Sequence, residues 1–350
     1  MRFTAFFHPL ARIATVTMLA ALTLAGCGST TPARPDAGTQ PALSSSAPPV
    51  RIGIALGGGA AKGFAHIGVI KMLEANGFAP AVVSGTSAGS VVGALYASGM
   101  NAFEMQEKAV ALDETRIRDL QLSSGGLVLG QKLEDYVNEQ VRRKQLEQLA
   151  KPFVAVATRL EDGERTVFAR GNTGQAVRAS SSVPGVFQPV TIGKFHFVDG
   201  GIVSPVPVDA ARQLGADIVI AVGISNKARG QSPANMLGAL NQSIAIMGQK
   251  LGQAELARAD VIITPQVLDI GPADFSQRAS AIVEGEKAAL AAMPQIRERV
   301  AQLQAERAKA ARLAQQKVTE TQYQACLDNR NRLQKLAGLA KLDDSCTVPK

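Results

Sequence analysis

Between residues 50 and 295, short apolar runs alternate with stretches whose apolar residues recur at helical spacing. Val50 to Leu56 is a short apolar run closed by glycines, the pattern of a buried strand. Phe64, Ile67, Ile70 and Leu73 follow at a helical period, which predicts a helix over 64–76 stopped by Gly77. A second strand is predicted at 81–83 and a small-residue helix over 88–98. Leu133, Tyr136, Val137, Val141 and Leu149 share one face of a surface helix over 131–150. Two strands at 153–159 and 166–169 flank the polar turn Glu161-Asp162-Gly163-Glu164. Further strands are predicted at 195–198, 217–224 and 261–264, with helices over 208–214 and 234–257. Such alternation predicts an α/β fold with a mostly parallel central sheet and helices on both faces. Beyond Pro294 the pattern becomes a long helix rich in Ala, Gln and Arg, with Ile296, Val300 and Leu303 on one side. No internal repeat is visible.

The first 49 residues follow different rules. Arg2 and Arg12 flank a basic start, and 13–25 is nearly all apolar. That run is short for a bilayer span but suits the core of a secretory signal peptide. It ends in Leu24-Ala25-Gly26-Cys27, which resembles a bacterial lipobox. The expectation is a signal peptide over 1–26, acylation of Cys27, and stable anchoring through several acyl chains. Gly28 stands where Asp would otherwise signal retention, so the expected location is the cell envelope, on the periplasmic side of the outer membrane. Residues 28–49 are mostly Gly, Ser, Thr, Pro, Ala and Gln, the composition of a tether. The expected division is 1–26 signal peptide, 27–49 anchor and linker, 50–295 catalytic domain, and 296–350 basic helical extension.

Composition narrows the function. A hydrophobic share of 46% with 19% charged residues is globular, neither disordered nor multi-span. With no Trp and 4% aromatics, ring-stacking platforms for nucleic acid are disfavoured. The net charge of +8 is unevenly placed: 50–295 holds 23 basic and 22 acidic groups, whereas 296–350 holds 11 and six. No nucleic-acid partner is expected for the main domain. The basic tail suits either a solvated helix face or an anionic membrane surface. Three Cys without a Cys-x-x-Cys pair, and three His, give no metal or cofactor site. Export permits a Cys326–Cys346 disulfide, with two free thiols as the alternative.

Four segments carry candidate chemistry. Gly85-Thr86-Ser87-Ala88-Gly89 joins a predicted strand to a predicted helix and is a G-x-S-x-G nucleophile elbow. The tight turn demands side-chain-free positions around Ser87, and the helix N-terminus adds positive potential there. Gly57-Gly58-Gly59-Ala60-Ala61-Lys62-Gly63 also joins a strand to a helix. It fails as a P-loop because Lys62 precedes Gly63 and Phe64 follows, and fails as a dinucleotide fingerprint for lack of an acid near residue 83. It suits an oxyanion cradle formed by the N–H groups of Gly58, Gly59, Ala60 and Ala61. Lys62 adds positive field or holds loop carbonyls. Asp199-Gly200-Gly201 ends an apolar strand and places Asp199 either at the sheet edge where sites form or in an Asx turn. Ser180-Ser181-Ser182 lacks flanking elbow glycines and is expected to end a helix and line a pocket.

A His-based triad is not expected. Apart from His8 only His66 and His196 exist, and His196 and Asp199, three apart on one strand, face opposite sides. A Ser87–Asp199 pair fits better, with Asp199 as proton acceptor if burial raises its pKa.

The order and spacing of 58–63, 85–89 and 199–201 resemble the patatin-like phospholipases. Ala55 to Gly59, Ala65 to Val69, Ser182 to Phe187 and Gly215-Ala216-Asp217 resemble their bacterial branch. The resemblance covers about residues 50–295. It implies Ser87 as nucleophile, Asp199 as its partner, the glycine loop as oxyanion hole, and membrane lipid esters as substrates. Ala60 stands where the family usually has Gly, and Lys62 where Arg is commoner. Ala60 therefore favours a rival expectation, a lipid-binding or envelope-assembly lipoprotein with weakened chemistry; transacylation to an alcohol instead of water is a third expectation.

Overall fold

The computed structural model describes residues 48–117, 119–123, 126–225, 236–337 and Cys346. The segment expected to be a signal peptide, Cys27 and most of the expected tether lie outside the described residues. The chain opens with β1 (Ile52–Leu56), a 3-10 turn over Ala60–Phe64, α1 (Ala65–Ala75), β2 (Val82–Thr86), α2 (Ala88–Ala97) and α3 (Ala102–Val110). There follow β3 (Leu120–Ser123), β4 (Gly126–Val128), α4 (Gln131–Gln140), β5 (Phe153–Arg159), β6 (Arg165–Phe168) and α5 (Thr173–Ser180). The last elements are β7 (Val190–Ile192), β8 (Phe195–Asp199), α6 (Val208–Gln213), β9 (Ile218–Val222), α7 (Met236–Leu256), β10 (Val261–Ile263) and α8 (Arg278–Ala337).

β10, β9, β1, β2 and β5 lie side by side in that order and pair in parallel. Beyond them β5 pairs antiparallel with β6 and β8, and β8 with β7. The sheet is thus mixed, with its parallel half where strand and helix alternate most regularly in the sequence. Side-chain alternation sorts the strands between two cores. Ile54, Leu56, Ile220 and Val222 pack with α1, α2 and α8, whereas Ala55, Val219 and Ala221 pack with Val206, Val208, Ala211 and Leu256. All of these except the partly buried Leu256 are buried, as two-sided coverage by helices requires.

α8 departs from the expected pattern. It begins at Arg278 and runs unbroken through Pro294, so residue 296 marks no structural boundary. Proline removes one intrahelical hydrogen bond at a cost of about 3 kcal/mol. Burial of Ile282, Met293 and Ile296 offsets it with about 5 kcal/mol or more. The helix lies against α1 at a glycine crossing. An added Cβ would stand 1.9 Å from the Ile282 carbonyl oxygen at Gly68 and 2.0 Å from the Ala65 oxygen at Gly285.

α3 was not expected from the sequence, and of α5 only its end at the serine run was. α3 starts with an Asn101–Glu104 capping box, and α5 is capped by Asn172, which accepts from Gln175 N. The helix expected over 131–150 stops at Gln140, and Arg142 and Arg143 then take φ of 55° and 54°. Cys326 and Cys346 are joined in a disulfide with Cα atoms 5.9 Å apart.

Gly68→Ala is expected to destabilise the fold by about 2 kcal/mol or more, because its methyl group meets main chain, which has no alternative rotamer. Equilibrium urea unfolding measures this, and a loss below about 0.5 kcal/mol would show that α1 and α8 do not cross there.

Candidate active site

The parallel register sets two loops side by side. Leu56 pairs with Gly85, so the glycine loop leaving β1 and the elbow leaving β2 emerge together at the C-terminal edge of the sheet. Main chain passes main chain at contact distance. A Cβ on Gly89 would stand 2.1 Å from the Leu56 oxygen, and one on Gly85 2.4 Å from the Gly89 oxygen. Gly63 approaches Ala88 as closely, at 2.6 Å between the added Cβ and the alanine Cβ. Ser87 sits at the corner with φ 53° and ψ −124°, a strained conformation for a residue with a side chain. It is held there by Ser180, whose Oγ accepts from Ser87 N at 2.9 Å and donates to the Val156 oxygen at 2.6 Å. Ser180 is the one member of the serine run tied to Ser87; Ser182 bonds back to Arg178 O, and the buried Ser181 hydroxyl has no partner.

Asp199 reaches this edge from the antiparallel half. β5 places Val156 beside Thr86, and its next residue, Ala157, pairs with Asp199. β8 therefore runs down toward the elbow, and its last residue stops beside Ser87. Gly200 makes the stop possible, since a Cβ there would meet the Val156 oxygen at 2.1 Å. The Asp199 main chain is fixed on both sides, its N–H donating to Ser182 O and its C=O accepting from Thr158 Oγ1.

The carboxyl of Asp199 is buried, and that burial pushes its pKa up to about 6 against the opposing pull of the Ser87 hydroxyl and Gly201 N–H. Oδ1 accepts from Gly201 N at 2.7 Å. Oδ2 is enclosed yet completes no hydrogen bond of ordinary length and angle, so the Ser87 contact is looser than a hydrogen bond in the resting site. One oxygen is thus committed and the other is open to a proton.

The two histidines among the described residues lie elsewhere. His66 is fully buried and bonds Gly57 O through Nε2 at 2.8 Å. Desolvation lowers its pKa to about 4, so the ring is neutral and holds the glycine loop. His196 is exposed and bonds Glu161 at 2.8 Å, on the opposite strand face from Asp199.

The cradle is smaller than the sequence suggests. Gly58 N donates to Pro205 O at 3.0 Å and Ala61 N to Pro272 O at 3.2 Å, so neither amide is free for an oxyanion. The physical reason is that the loop ends are stitched to neighbouring loops to hold its middle. Among the described residues Gly59 and Ala60 donate no such bond and are the available pair. Ala60 takes φ 53°, the left-handed conformation that the more usual Gly adopts without strain. An added Cβ on Gly58 would stand 3.3 Å from Ser87 Cβ. Lys62 is buried beneath the loop. Among the described residues no cluster of His, Cys, Asp or Glu is arranged to hold a metal ion.

A nucleophile elbow, a carboxylate beside it and an amide cradle on one α/β sheet define a serine-hydrolase-type site. Residues 54–212, which include all three, match the model of the patatin-like phospholipase family. An uncharacterised NTE family protein of Mycobacterium tuberculosis is 36% identical over 182 residues, covering 51% of each chain. The human patatin-like phospholipase domain-containing protein 6 is 32% identical over 184 residues, covering 50% of this chain and 13% of that protein. The match thus spans about half the length of the mycobacterial relative and a small part of the human one. The crystal structure of VipD from Legionella pneumophila superposes with a TM-score of 0.49 at 14% identity, over 85% of this chain and 82% of that one.

Asp199 also leaves a mark on stability. Its folded pKa of about 6 lies above the ordinary value near 3.9, so the folded state binds the extra proton between these values. Stability is therefore lost as pH rises from about 4 to about 6, by an amount on the order of 3 kcal/mol. Asp199→Asn is expected to raise the melting temperature at pH 8, with a gain that shrinks toward pH 4. Scanning calorimetry at both pH values checks this, and an equal effect at both removes the buried carboxylate as its cause.

Proposed function

We propose that the protein is a serine acyl-ester hydrolase of the phospholipase A or lysophospholipase type, acting on membrane lipids. The observation that carries the reading is the buried Asp199 carboxyl, beside the strained Ser87 elbow, with one oxygen committed to Gly201 N and the other open. A carboxylate with pKa near 6 is ionised at neutral pH and is a stronger base than an ordinary aspartate. Asp199 takes the Ser87 hydroxyl proton as Oγ attacks the ester carbonyl. The negative charge that forms on the carbonyl oxygen is met by the Gly59 and Ala60 amides, each such donor being worth roughly a hundredfold or more in rate. Collapse of the intermediate expels the alcohol, which takes the proton back from Asp199 and leaves an acyl-serine. Water then attacks with Asp199 again as base, releasing the fatty acid. The left-handed backbone at Ala60 supports a preserved cradle over a chemically silent lipid binder.

Lipid as substrate class rests on the family and on the expected anchor at Cys27. Acylation there holds the domain at the inner face of the outer membrane, next to its substrate. Cys27→Ser is expected to move the protein from the membrane fraction to the soluble fraction with unchanged turnover of a soluble ester. Retention in the membrane fraction would remove the anchor.

Ser87→Ala and Asp199→Asn are each expected to lower kcat on a p-nitrophenyl ester at least a thousandfold. A fluorophosphonate should label wild type and not the Ser87 variant. Wild-type kcat/KM is expected to rise with pH through a midpoint near 6, because only the unprotonated carboxylate accepts the serine proton. Full turnover in either variant, or a profile flat between pH 5 and 8, rejects the pair.

A further inference from the structure

α7 carries a carboxylate that the mechanism above does not use. Glu255, one residue from the helix end, is 5% exposed and uses both oxygens. Oε1 accepts from Ser204 Oγ at 2.5 Å and Oε2 from Val206 N at 2.7 Å. Arg258, itself paired with Asp209, stands 3.9 Å from Oε1 and balances the charge. The three-residue segment gripped in this way is the bridge between the two halves of the site. Ser204 O accepts from Thr86 Oγ1 at 2.8 Å, immediately before the nucleophile. Pro205 O accepts from Gly58 N at 3.0 Å, at the base of the oxyanion loop. Pro207 O accepts from Ser84 Oγ at 2.7 Å, further down the same strand. Three carbonyl anchors, two inside this segment and one just past it, therefore set the glycine loop against the elbow, and one buried carboxylate holds the segment.

We propose that Glu255 is a positioning residue for the acyl transfer, fixing the Ser204–Val206 bridge so that the Gly59–Ala60 amides stay in register with Ser87. The proposal rests on the reading of Ser87 as nucleophile. It touches neither the substrate nor the reacting atoms and acts only through the bridge. A glutamine at 255 keeps the volume but replaces one acceptor oxygen with a donor. One of the two N–H and O–H groups, at Ser204 or Val206, then loses its partner.

The test is Glu255→Gln in the full-length protein, with active sites titrated by a fluorophosphonate. The expected result is a roughly tenfold to hundredfold fall in kcat per titrated site, with KM within about twofold of wild type, because misplacing the amides acts on the transition state. In parallel, hydrogen exchange at the Gly58 amide should accelerate at least tenfold, a readout that needs no turnover. Wild-type kcat per titrated site, or unchanged Gly58 exchange, overturns the proposal. If the variant fails to fold, Ser204→Ala, which removes one of the two contacts, decides. It is expected to show a smaller loss of kcat with faster Gly58 exchange, and wild-type values of both overturn the proposal. Ser87→Ala measured alongside separates the two readings. Turnover retained there defeats the nucleophile assignment, whereas faster Gly58 exchange in the Glu255 variant stands independently of it.

Discussion

Main chain touching main chain, with no side chain between, is the constraint on which this site depends. Leu56 O, Gly85 and Gly89 meet at distances that exclude even a methyl group. That contact presses the N-terminus of α2 against the end of β1 and brings the glycine loop to Ser87. Any Cβ in the contact separates the two loops, and an oxyanion cradle displaced by an ångström loses much of its effect. The strained backbone of Ser87 persists because Ser180, Gly85 and Gly89 over-determine it.

The electrostatics follow from the same economy. A site of glycine, alanine and valine main chain offers little solvation, so the one carboxylate within it is raised in pKa by burial rather than by a neighbouring charge. The histidines take structural posts instead. His66 is desolvated and neutral against Gly57 O, and His196 pairs with Glu161 in solvent. Burial of Asp199 both raises its proton affinity and weakens the fold above pH 6, so the two effects share one cause.

Much of the fold was legible because the parallel strands are buried on both faces and read as unbroken apolar runs. β1, β9 and α1 stand close to their expected limits. α3 escaped although Asn101 caps its start, and α5 was legible only at its end, where the serine run was expected to close a helix. α8 was misplaced because a proline's local cost is readable in sequence while the burial of Ile282 and Met293 that offsets it is not. At the site, Ser87 and its glycines were legible because steric demand fixes residue type. The order of Gly58 to Ala61 was legible too, but which amides are free depends on Pro205 and Pro272, more than a hundred residues away. Ser180 was visible only as part of a serine run, and its tie to Ser87 N exists only in three dimensions.

The glycine crossing of α1 and α8 has a further consequence. Each glycine faces the other helix's backbone, so no change of a neighbouring side chain makes room for a substitution at either position. Sequence drift at 68 and 285 is closed in both directions. The spacing from each glycine to its helix start is fixed as well, because one inserted residue turns the helix about 100° and swings a side chain into the gap. The catalytic sheet and its last helix are thus bound to evolve as a single piece, whatever happens to the loops around them.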